Sequence, residues 1–273
     1  MISSEWGAPN VVKKGFHMED VIGGKYGHSL HVFRWSTHER IQTIELPVED
    51  GSMPLELKFL HEPTSEHAFV GCALGSTVYH LHPKYNNTMD YQATDVINIA
   101  SKKVEGWMLP LMPALITDIL VSMDDRMLYV SCWLHGDIRQ YDISNPAEPN
   151  LVGQVYIGGS IHDESGVTVV GENAPKALYV KRTKIEGGPH LMQLSLDGKR
   201  MYVTTSLNNA WDEQFYPNLR KVGATMVLLD INPTGGMKIN QDFLVEFGKL
   251  PGGPYLAHEM RFPGGDCTSD IWI

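Results

Sequence analysis

Cysteine is scarce in this chain: Cys72, Cys132 and Cys267 are the three among 273 residues, widely separated and without a CxxC pair. That odd, dispersed set argues against a disulfide framework and against a cysteine-rich zinc site, and each thiol reads as a small buried side chain. Positive charge is also thin. Lys and Arg total 22 against 32 Asp and Glu, a net charge of −10, and the densest basic run is Lys181-Arg182-Thr183-Lys184. Nucleic acid and anionic membrane surfaces, which need a concentrated positive face, are poor partners for such a chain. No run approaches the ~20 apolar residues of a bilayer span. The opening MISSEWGAPNVVKKGF has no basic stretch leading into an apolar one, so no secretory signal is read there and the cytosol is the expected compartment.

Helical periodicity is the last scarcity. Short runs rich in Val, Ile, Tyr and Leu alternate with 26 Gly and 16 Pro, the signature of many short strands. Three segments share one template: Ala68 to Leu74 (AFVGCAL), Leu128 to Leu134 (LYVSCWL) and Met201 to Leu207 (MYVTTSL). The last two each follow a strand and an acidic turn, ILVSMDDR (Ile119 to Arg126) and MQLSLDGK (Met192 to Lys199), where Asp-Asp and Asp-Gly suit a hairpin. A third strand follows, Ile138 to Ser144 or Thr225 to Asn232, and then a fourth, Leu151 to Ile157 or Phe243 to Gly248. The expected fold is therefore all-β, a β-propeller of four-stranded antiparallel blades. The repeat is longer than the ~40 to 50 residues of familiar propellers because of two insertions, Gly158 to Gly188 and Asn208 to Gly223. Tyr26 to Leu46 reads as a third and fourth strand without their first two, and Leu256 to Ile273 as the first two strands of another blade. About four blades' worth of chain is expected, starting and stopping mid-blade.

WLHGDIRQYDIS (Trp133 to Ser144), LSLDGKRMYVTTSL (Leu194 to Leu207), AWDEQFYPNL (Ala210 to Leu219), LAHEMRFPGGDCTSDIWI (Leu256 to Ile273) and EWGAPNVVKKGF (Glu5 to Phe16) together closely resemble the C-terminal part of the selenium-binding protein family, also described as methanethiol oxidases. The resemblance covers essentially the whole chain. It implies a cytosolic seven-bladed propeller that oxidises methanethiol to formaldehyde, hydrogen sulfide and hydrogen peroxide, with copper as cofactor, and it carries links to selenium binding and vesicle transport. It also implies that residues 1–273 form a single propeller domain incomplete at its N-terminus. The family's selenium-associated cysteine motif has no counterpart here, so Cys72, Cys132 and Cys267 do not inherit that role.

Copper directs attention to the 12 histidines. His135, in the turn between a second and third strand, and His258, at the start of an innermost strand, are placed where they would converge on one mouth of the channel. His135 reads equally as an imidazole that caps its turn. His61, at the opposite end of its strand, is the third metal candidate. Asp118 and Glu259 would orient an imidazole through its other nitrogen, or satisfy backbone donors of the channel. His190, after Gly187-Gly188-Pro189, faces either the channel or solvent. His67, His80 and His82 read as solvated bystanders, as do His17, His28, His31 and His38. The aromatic run Trp211 to Tyr216 is either a lid over the channel or a packed cover between blades. The rivals to an oxidase acting on a small thiol are a non-catalytic propeller scaffold for protein partners and a truncated, inactive fragment.

Overall fold

A computed structural model describes residues 1–84 and 87–261. Three four-stranded antiparallel sheets follow one another along the chain, each ordered as its strands occur in sequence. One comprises Pro54–Phe59, Ala68–Cys72, Thr77–Lys84 and Asn87–Asn98. The next comprises Ile116–Val121, Met127–Cys132, Asp137–Asp142 and Asn150–Tyr156. The last comprises Met192–Leu194, Arg200–Thr204, Thr225–Ile231 and Met237–Glu246. Their first strands pack side by side, in the manner of propeller blades around an axis. Among the described residues no helix is long and apolar enough to cross a membrane.

A three-stranded sheet precedes these and corrects one expectation. Tyr26 to Leu46 does supply two of its strands, Ser29–Arg34 and Glu39–Glu45, but Ile2–Glu5 pairs with Ser29–Arg34 as the strand before them. That segment, ISSE, has one apolar residue and so no alternation to announce it. The blade expected from Leu256 onward lies mostly outside the described residues.

The acidic turns explain why the repeat was visible. Ser122 Oγ and the Arg126 N–H both donate to the Asp124 carboxylate, while Asp125 takes a left-handed φ of 57°. Ser195, Asp197 and Gly198 repeat the arrangement, with Gly198 at a φ of 68°. The position needs a residue that tolerates that backbone, and Gly or Asp does. Asp125 also accepts the backbone N–H groups of His61 and Glu62, each at 2.8 Å, and so ties neighbouring sheets at this end of the molecule.

The connection that carries helices lies elsewhere, against the N-terminal segment. The stretch Asn208 to Gly223 folds as two short helices, Asn209–Phe215 and Pro217–Val222, the first capped by the Asn208 side chain and the second begun by Pro217. They dock on the N-terminal connection. The Trp211 indole N–H donates to the Val12 carbonyl at 3.0 Å, and the Gln214 amide makes two 2.8 Å bonds with the Phe16 backbone. Rings of Phe16, Trp211, Phe215, Trp133 and Tyr216 touch in series through this layer, mostly edge to face, ending with Trp133 and Tyr216 whose ring centres are 4.7 Å apart. Trp211 is 1 % exposed and Tyr216 7 %, so the aromatic run is a packed cover.

His80 corrects a second expectation. It is 3 % exposed, its Nε2 lies 2.7 Å from His67 Nδ1, and its ring stacks on Phe69, His67 and His82. Phe69 and His80 are register partners on the face turned to the next sheet, which places the imidazole in the core between sheets. Burial, then the neighbouring His67 and His82, pushes its pKa down to about 4.

Two outcomes follow from these contacts. The Tyr216 hydroxyl donates to the Trp133 carbonyl at 2.7 Å and accepts from Ser160 Oγ at 3.2 Å; Tyr216→Phe is expected to cost about 1–2 kcal/mol in urea unfolding. Because His80 has a depressed pKa in the fold, its contribution is complete above the unfolded value near 6.5 and is lost as pH falls toward about 4. Between pH 6.5 and 4.5 the melting temperature should therefore fall more steeply for the parent than for His80→Phe.

Candidate functional site

A cavity of about 470 Å³ opens where the first strands of the three four-stranded sheets meet the aromatic cover. Met53, Leu120, Met192 and Trp211 supply apolar wall, and His190, His258, Asp118 and Glu259 are its polar residues of chemical interest. His258 and the two carboxylates expected from the sequence are thus brought together, and His190 joins them. His135 and His61 do not line it.

His190 owes its position to the glycines before it. Gly187 has a φ of 86°, and a Cβ on Gly188 would come within 1.9 Å of the Trp133 carbonyl oxygen, so only glycine lets this segment pass beneath the turn. The strand Met192–Leu194 begins immediately afterward, and the Met192 N–H is held at 2.8 Å by Asp118. His190 is 3 % exposed, and its Nε2 lies 3.1 Å from His258 Nδ1.

The hydrogen bonds assign the protons. His258 Nδ1 also contacts the Leu207 carbonyl, which can only accept, so Nδ1 of His258 carries the hydrogen. His190 Nε2 then faces that N–H as a lone pair, and the His190 proton resides on Nδ1, a buried atom without a partner among the described residues. Burial, then the His258 charge, holds the His190 pKa well below the usual imidazole range. Leu207 is itself fixed from behind: its N–H donates to Asp212 at 3.0 Å, a fully buried carboxylate that burial pushes up to about 6 and that Ser206 Oγ also contacts. Burial first, and then the Glu56 charge, raises Asp118 well above the usual carboxylate range against the opposing Lys58. Glu259 is exposed and pairs with Arg261 at 2.6 Å.

The other two metal candidates sit apart. His135 is fully buried in its turn, with Nε2–H donating to the Met112 carbonyl at 3.1 Å and Nδ1 without a partner among the described residues. Burial pushes its pKa down, opposed by the Met112 bond. The following Gly136 has a φ of 82° and would place a Cβ 1.9 Å from the Gly158 oxygen. His61 Nδ1 contacts Asp125 at 2.8 Å, in the tie between sheets at the tight-turn end.

Two nitrogens 3.1 Å apart suit adjacent positions on one metal ion with N–metal bonds of ~2.0 Å. As they stand, however, they share a hydrogen bond, and among the described residues no group of three His, Cys, Asp or Glu side chains surrounds a common point. The residues described do not by themselves make a copper site. Sequence reasoning reached His258 and left His190 open; Asp212 and Leu207, which fix the imidazole, gave no signal beyond the repeat.

Comparison with known proteins places these residues in company. The family model described as 56kDa selenium binding protein (SBP56) matches residues 1–273. Methanethiol oxidase of Xenopus tropicalis is 56% identical, and the proteins of that name from Rattus norvegicus and Homo sapiens are 54% and 53% identical. Each alignment takes in 100% of this chain and 58% of the relative, so the chain spans rather more than half the length of the curated relatives it matches. The X-ray structure of a hypothetical selenium-binding protein from Sulfolobus tokodaii superposes on 100% of this chain and 57% of its own, at 34% sequence identity and a TM-score of 0.80.

Cys72 and Cys132 are both buried and free, and burial raises both thiol pKa values strongly. With little thiolate and no access, neither should react with iodoacetamide at pH 8 in the folded chain, and both should react in urea; peptide mass spectrometry reads the difference. Cys267 lies outside the described residues.

Proposed function

Since this chain belongs to the family of the 56kDa selenium binding protein, we propose that its cavity receives a small thiol for oxidation, with His190 and His258 as the groups that meet it. The carrying observation is the imidazole pair at 3.1 Å on the cavity wall, buried His190 against exposed His258, with its protons ordered by the Leu207 carbonyl. In this reading the substrate is methanethiol, and one thiol, one dioxygen and one water give formaldehyde, hydrogen sulfide and hydrogen peroxide, which balances in every atom.

Copper is part of the proposal and supplies the electron transfer to oxygen when bound. His190 and His258 would furnish two imidazole nitrogens, and the remaining donors would come from the part of the relatives' length that this chain does not span. The chain's own residues do the rest. His190 stays neutral at pH 7 because its site is dry, so its Nε2 keeps a lone pair. His258 carries its proton on Nδ1, so its Nε2 is the lone pair it would offer the metal. Met53, Met192 and Trp211 hold the alkyl group and exclude water. The seven-bladed ring and the cytosolic setting belong to the same reading, and the four sheets described here would be one arc of that ring.

Copper per chain, measured by elemental analysis after equilibration with Cu(II), tests it. Binding should be weaker than a complete site allows and should fall about tenfold in His190→Ala and in His258→Ala. His135→Ala and His61→Ala should leave it unchanged. Copper retained by the His190→Ala/His258→Ala double variant would overturn the assignment.

A further inference from the structure

A second cavity, of about 200 Å³, lies between the loop after the Asn150–Tyr156 strand and the two helices of the cover, and shares no lining residue with the first. Trp107, Phe215 and Tyr216 form aromatic wall, and His162, Glu164 and Glu186 are polar groups facing the same space. His162 is 7 % exposed, and its Nδ1 accepts the Glu164 N–H at 3.1 Å. That nitrogen therefore carries no proton. The ring is kept neutral by burial and by Lys184, and its hydrogen sits on Nε2.

The charge of the wall is unbalanced. Lys184 Nζ lies 3.1 Å from Glu164 and 3.9 Å from Glu186, so one ammonium serves two carboxylates. Glu164 is further engaged by the Tyr179 hydroxyl at 3.0 Å, which leaves Glu186, with a side chain only 21% exposed, the less committed of the two. An anionic ligand would meet two carboxylates at close range, whereas a cation would meet a carboxylate and the faces or edges of aromatic rings. The net charge of −10 adds attraction from a distance.

We propose that this second cavity binds a small organic cation, an alkylammonium or quaternary ammonium group of a few heavy atoms, between the Trp107 and Phe215 rings and the Glu186 carboxylate. Aromatic walls with an acidic residue are a general solution for such groups, because the cation loses little hydration and gains the ring quadrupole. The site lies on the cover, apart from the imidazole pair, and does not depend on thiol chemistry.

The test compares choline with 3,3-dimethylbutanol, its neutral carbon isostere, by calorimetric titration of the full 273-residue chain. Choline should bind saturably and the isostere about tenfold more weakly. Glu186→Gln should weaken choline about fivefold, and Lys184→Gln, which releases both carboxylates, should tighten it about threefold. Tightening cannot arise from a damaged fold, and thermal unfolding of both variants checks their integrity. Equal binding of the isostere, absence of saturation up to roughly 50 mM choline, or tighter binding of inorganic phosphate than of choline would each overturn the proposal.

Discussion

The bond from the Tyr216 hydroxyl to the Trp133 carbonyl is the joint on which the covered end of the molecule depends. Trp133 opens the turn that leaves the Met127–Cys132 strand, so its backbone is fixed by the sheet. Tyr216 sits between the two helices of the cover. A buried hydroxyl must find a partner or cost more than the bond returns, so the helices have one low-energy seat on the turn. From that seat Trp211 reaches the cavity of the imidazole pair, while Phe215 reaches the second cavity. Both sites inherit their shape from one contact.

The imidazole pair shows how a backbone carbonyl can set side-chain chemistry. Leu207 has no reactive group, yet its oxygen decides which nitrogen of His258 holds a proton, and through that which nitrogen of His190 is a lone pair. Asp212 holds Leu207 in place from the far side. The proton arrangement at the cavity is thus set through Asp212 and Leu207, neither of which meets the imidazoles through a side-chain functional group.

The sheets were legible in the sequence wherever a turn demanded a particular residue. Asp124-Asp125 and Asp197-Gly198 mark hairpins because a left-handed backbone tolerates few side chains, and the strands beside them are buried on both faces and read as apolar runs. Ile2–Glu5 escaped because its pairing is specified by its neighbour and not by its own pattern. The helices of the cover escaped for the opposite reason: each is too short to show a period, and the first is held by aromatic contacts from distant segments. His258 was reachable from its place at the start of a stretch that reads as a strand in the sequence. His190 depended on how closely the Gly188 backbone passes Trp133, and His80 on which face of its strand meets the next sheet, and proximity of that kind is a tertiary fact.

The two hydrogen bonds between Gln214 and Phe16 join positions 198 residues apart in the chain. Closing so long a loop is costly in chain entropy and is recovered only when both partners are already presented by folded sheets. During synthesis the N-terminal connection, with Val12 and Phe16, leaves the ribosome long before Trp211 and Gln214 exist. Its apolar residues must wait without their partner while the intervening sheets form. The cover therefore cannot be completed before Trp211 and Gln214 have been made, and the cavity beneath it gains its roof no earlier.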